Sequence, residues 1–119
     1  MQLEMLYAKI HRATVTEADL NYAGSIGIDR ALVKAAGMLE GQRVLVANLK
    51  DGARFETYVI PLDTPGAVVT NGAAAHLAKA GDKVIIMAFA QMSEAEAKKF
   101  RPKIVLVDDK NRVTKVRGG

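Results

Sequence analysis

The chain contains no cysteine, which excludes disulfides, zinc-cysteine sites and thiol catalysis. It has no apolar run near the roughly 20 residues that a membrane helix requires. Its start, MQLEMLYAKIHR, interrupts the apolar residues with Glu4 and Lys9 where a signal peptide would keep an unbroken core. The expectation is a cytoplasmic protein with no membrane partner. Histidine is scarce, and neither His11 nor His76 stands at ligand spacing from a second histidine or a carboxylate cluster, so no metal is expected. Asn71-Gly72 is followed by alanines and no lysine, which excludes a phosphate-binding P-loop. Ser25 lacks the elbow with flanking glycines that exposes a hydrolytic serine.

What is present is an ordinary globular composition, half apolar and one quarter charged, in 119 residues. That length suits one domain with one core. The net charge of +4 comes from 17 Lys and Arg against 13 Asp and Glu, and it is unevenly placed. Residues 98–119 carry eight basic and two acidic side chains, whereas residues 1–97 carry nine and eleven. A basic terminal segment on a slightly acidic body is not the stripe of charge that nucleic acid binding requires, so no nucleic acid partner is expected.

Period-two alternation and turn residues outline a mainly β chain. Leu3 to Thr16 reads as a long strand, with Lys9 and His11 on one face. A loop runs to Ser25, and after Asp29 the apolar positions Ile28, Ala31, Leu32, Ala35, Ala36 and Leu39 predict a helix with a core-facing stripe, ended by Gly41. Arg43–Lys50 and Ala53–Ile60 flank Asp51-Gly52 and predict a hairpin. A short strand at Ala67–Thr70 leads into an alanine-rich short helix, then a strand at Lys83–Ala90. Ser93 and Glu96 have capping-box spacing ahead of a helix that Pro102 must stop. Two final strands surround Asp109-Lys110-Asn111. So many short strands in one small domain predict a closed barrel, because an open sheet leaves edges to cover.

Gly24-Ser25 lies in the loop between the first strand and the first helix, beside Tyr22. It has two readings. In one it is a turn, because glycine adopts positive φ and serine caps local backbone groups. In the other the same freedom permits a strained peptide whose carbonyl is open to the following hydroxyl, the geometry of an N-to-O acyl shift.

Three segments, KIHRATVTEADLNYAGSIGID, RFETY and NGAAAH, in this order and spacing, resemble the pyruvoyl-dependent aspartate 1-decarboxylases. The resemblance runs from Met1 to about Val107. It implies a mainly β fold, a small closed six-stranded double-psi β-barrel with two or three short helices. It implies a homotetramer with sites between subunits, and self-cleavage at Gly24-Ser25 into residues 1–24 and 25–119. Ser25 then becomes a covalent pyruvoyl group that forms a Schiff base with the amine of L-aspartate, and β-alanine is made for pantothenate synthesis. The resemblance leaves open whether a maturation partner assists the cleavage.

Residue by residue, the resemblance assigns Thr57 to the oxyanion of cleavage, Arg54 and Lys9 to the substrate carboxylate that is retained, and Tyr58 to proton donation. Gly72, Ala73 and Ala74 match the substrate-contacting loop, shaped by Asn71. His11 and Tyr22 are supporting residues. Arg54 and Tyr58 share strand parity and Thr57 does not, a conflict open to a bulge, strong twist or a site between subunits. Without the resemblance, the same pattern also fits an uncleaved β-barrel assembly or interaction module.

Overall fold

A computed structural model describes Met1–Gly119. Nine strands, two short α-helices and a 3₁₀ helix at Gly72–His76 follow in order. The strands are β1 (Gln2–Thr14), β2 (Glu17–Asp19), β3 (Ser25–Asp29), β4 (Arg43–Asn48), β5 (Arg54–Leu62), β6 (Val68–Asn71), β7 (Lys83–Ser93), β8 (Lys103–Val107) and β9 (Val113–Arg117). The helices are α1 (Arg30–Ala36) and α2 (Glu94–Lys99). No helix is long and apolar enough to cross a membrane.

The strands pair in the order β2-β6-β3-β5-β4-β7-β1-β8-β9. This corrects the six-strand expectation to nine, and the pairing order has two ends in place of a closed ring. Three of the strands are short additions at those ends: β2, which has three residues, and β8 with β9. Both ends are blunted in the usual ways, β2 by brevity and β9 by Lys115 and Arg117 on a wholly exposed strand.

Alternation places the core. Ile10, Val44, Val46, Val84, Ile86 and Val105 project inward from successive strands, and Leu32, Val33 and Ala36 of α1 pack against the same cluster. Burying each such side chain contributes roughly 1.5–3 kcal/mol.

The segment between Ser25 and Leu39 departs from the sequence reading. Ser25 to Ile28 are all buried, so both faces of β3 are covered, and β3 has β5 parallel on one side and β6 antiparallel on the other. Ile28 therefore belongs to a strand, and its spacing to Ala31 and Leu32 imitates a helical stripe. Gly27 permits the close packing: a Cβ there would stand 2.6 Å from Leu62 Cδ1. The helix starts at Arg30, capped by the Asp29 carboxylate accepting from the Ala31 amide at 2.9 Å. Gly37, in the left-handed region at φ 72°, ends it, four residues before Gly41. Leu39 thus falls outside the helix and is 73% exposed, not core.

Local signals hold elsewhere. The Asp51 carboxylate accepts from the Ala53 amide in the β4–β5 turn, and the Ser93–Glu96 capping box is complete.

Candidate active site

The Gly24–Ser25 peptide joins an exposed residue to a fully buried one. Ser25 opens β3 and lies opposite Asn71, the last residue of β6. Its hydroxyl donates to the Ala23 carbonyl at 3.0 Å and accepts from Asn71 Nδ2 at 3.0 Å. Asn71 precedes the 3₁₀ helix without capping it, since its side chain is committed to Ser25. Both polar functions of the Ser25 hydroxyl are therefore fixed in a buried setting, where such bonds hold geometry most firmly.

The loop after Asn71 lies directly against the same peptide. Gly72 sits at φ 64°, and a Cβ on it would come within 2.8 Å of Gly24 Cα and 3.1 Å of the Tyr22 carbonyl oxygen. Only glycine permits this approach. Gly72 is thus a backing for the 22–24 segment, and Tyr22 meets it through its backbone while its ring is exposed.

In front of Gly24 is a cleft of about 320 Å³. Thr57, Tyr58, Asn71, Ala73 and Ala74 line it, so six of the sequence-derived residues, counting Gly24, meet here. Phe55, Glu56 and Leu77 complete the wall and were not singled out by the sequence; the local run RFETY was the only pointer to the first two.

The parity conflict at Thr57 resolves through pairing. Residues 54–58 of β5 pair with β4, whereas Val59–Leu62 pair with β3, which begins only at Ser25. Residues 54–58 therefore have one edge without a neighbouring strand. The cleft opens along that edge, so four successive residues, Phe55 to Tyr58, border it from both faces.

The cations are elsewhere. Arg54 begins β5 on the same exposed face as Glu56 and Tyr58 but does not line the cleft, and it has no ion-pair partner. Lys9 is further still. The pairing row Lys9–Met87–Leu45–Glu56 crosses from β1 to β5 through three strand spacings, about 14 Å at 4.8 Å each. Lys9 and His11 sit together on β1, as alternation predicts, alongside Ile104 and Leu106 of β8.

His11 Nδ1 is buried without a hydrogen-bond partner. Burial, then the charges of Lys9 and Arg12, hold the imidazole below its usual pKa and keep it neutral at pH 7. A single chain therefore brings Gly24, Ser25, Thr57, Tyr58 and the 71–74 loop into one place and leaves Lys9, His11 and Arg54 outside it.

A family model described as aspartate decarboxylase matches residues 1–114. The chain is 55% identical over 116 residues to the aspartate 1-decarboxylase of Campylobacter jejuni strain 81116, covering 98% of this chain and 92% of that one. It is 53% identical over 117 residues to that of Clostridium beijerinckii, covering 98% and 94%. The corresponding protein of Lactiplantibacillus plantarum is 56% identical over 117 residues, covering 97% of this chain and 89% of its own.

Proposed function

The chain belongs to the aspartate decarboxylase family and decarboxylates aspartate; we propose that it does so after cutting itself between Gly24 and Ser25, with a pyruvoyl group derived from Ser25. The observation that carries this reading is the enclosure of Ser25. Its buried hydroxyl, the Asn71 amide 3.0 Å away and the adjoining cleft fit a small keto group made from the serine itself.

Cleavage begins when Ser25 Oγ leaves its bond to the Ala23 carbonyl and attacks the Gly24 carbonyl carbon. The Gly24–Ser25 C–N bond breaks, an ester forms, and the serine nitrogen becomes an amine. Thr57 and Asn71 are the hydroxyl and amide donors at hand for the charge that develops on oxygen. Loss of the Ser25 α-proton expels the Gly24 carboxylate, and water replaces the nitrogen, which leaves as ammonia. The products are residues 1–24, ending in a carboxylate, and residues 25–119, beginning with the keto group.

That group supplies an electron sink for decarboxylation of an amine substrate. The protein supplies position and protons. Arg54 and Lys9 hold the carboxylate that stays, Arg54 through its bidentate fork. The Tyr58 phenol returns a proton to carbon. Ala73 and Ala74 admit the substrate past small side chains, and Gly72 with Asn71 holds that loop against the cleaved segment. His11 and Tyr22 are supporting residues.

The separation of Lys9 and His11 from the cleft supports a site completed by a second copy, as in a homotetramer with sites between subunits. A double-psi arrangement of the strands, a cytoplasmic location and supply of β-alanine to pantothenate synthesis belong to the same reading. The test is purified protein given L-aspartate labelled at the α-carboxyl. Labelled CO₂ and β-alanine in equal amounts are expected, with inactivation when borohydride and aspartate are present together. Release of CO₂ that borohydride does not touch would contradict the pyruvoyl reading.

A further inference from the structure

Glu56 is the one carboxylate that lines the cleft, and it stands two residues from Arg54 on the same exposed face of β5, about 7 Å along the strand. At that spacing a free carboxylate competes directly with substrate for the Arg54 guanidinium. Glu56 does not pair with Arg54. Its partner is Arg43 of β4, whose Cα lies opposite Tyr58, so that the guanidinium reaches diagonally across the strand pair to the Glu56 carboxylate. Arg43 lines a separate groove of about 260 Å³, together with Glu4 and Phe89, and takes no part in the cleft. Glu56 alone borders both cavities, and its ion pair lies with the groove.

We infer that Arg43 is a positioning residue for substrate binding: by engaging Glu56 it leaves Arg54 unpaired for the substrate's carboxylate and keeps an uncompensated negative charge out of the cleft. The inference rests on the reading of Arg54 as the substrate's cation. Arg43 and Glu56 are both largely exposed, so their pair adds little to folding. Its consequence is which guanidinium remains available.

The test compares cleaved wild-type protein, confirmed by mass, with Arg43→Met, Arg43→Lys and the double variant Arg43→Met/Glu56→Gln. For Arg43→Met, KM for L-aspartate rises about 3- to 10-fold with kcat within about 2-fold, the size expected when one like charge near the surface is unmasked. Arg43→Lys keeps the wild-type KM because an ammonium still engages Glu56. The double variant returns KM to the wild-type value, which a merely structural role for Arg43 would not produce. An unchanged KM in Arg43→Met, a raised KM that Glu56→Gln fails to correct, or a loss confined to kcat would each overturn the inference. Arg54→Met with an unchanged KM would instead overturn the underlying assignment of Arg54, whatever Arg43 does.

Discussion

Two regions of this molecule carry polar chemistry, and they are built differently. Around Ser25, residues 46 positions apart in sequence are locked at 3.0 Å by the β3–β6 register, and Gly72 presses on the backbone of Gly24. On the outer face, Lys9 and Arg54 are separated by whole strands, and neither has an ion-pair partner within the chain. The first region has the enclosure and fixed hydroxyl that the proposed reaction of the chain upon itself uses. The second has the charges a dicarboxylate needs without the enclosure to bind one. In the proposed reading, self-processing is a property of one folded chain, whereas turnover depends on bringing the outer cations to the cleft.

The sharpest way to break the first region is Ser25→Ala, which removes the attacking oxygen. Cleavage and CO₂ release should both vanish, as read by gel and by CO₂ assay. Tyr58→Phe acts on turnover alone: the chain should be cut normally while kcat falls about 10² to 10⁴-fold, the range for loss of a general acid. Gly72→Ala strains the backing without altering any reactive group. It should destabilise the protein by about 1–3 kcal/mol in urea unfolding and slow cleavage. Asn71→Ala removes one donor to Ser25, worth about 0.5–1.5 kcal/mol, so cleavage should slow about 2- to 12-fold with Tyr58 untouched.

The smallest effect belongs to the outer face. His11 has a pKa lowered in the folded protein, so below its ordinary value of about 6.5 the unfolded chain binds more protons. Stability should therefore fall as pH drops from about 7 toward 5. His11→Gln should flatten that part of the profile in urea unfolding at pH 5.5 and 7.5, and an equally steep profile in the variant would remove His11 as the cause.

Sequence legibility followed the range of the interactions. The Asp51-Gly52 turn and the Ser93–Glu96 box are set by residues within a few positions, and both are present as read. β3 is buried on both faces, which erases period two, and the packing of Gly27 on Leu62 is visible only in three dimensions. The shared face of Arg54 and Tyr58 followed from alternation. The place of Thr57 beside Tyr58 did not, because it depends on where β3 begins. Gly24, Ser25 and the 71–74 loop were legible through family resemblance. Their physical junction, Asn71 Nδ2 on Ser25 Oγ, comes from strand register, and neither composition nor spacing encodes it.

The central claim is that the Gly24–Ser25 linkage rearranges into a keto terminus, and an intact-mass spectrum of purified protein addresses it most directly. Two polypeptides, residues 1–24 and 25–119, are expected, the larger lighter by one NH₃ than a fragment beginning with free serine. A single uncut chain that nonetheless converts aspartate at full rate would contradict it.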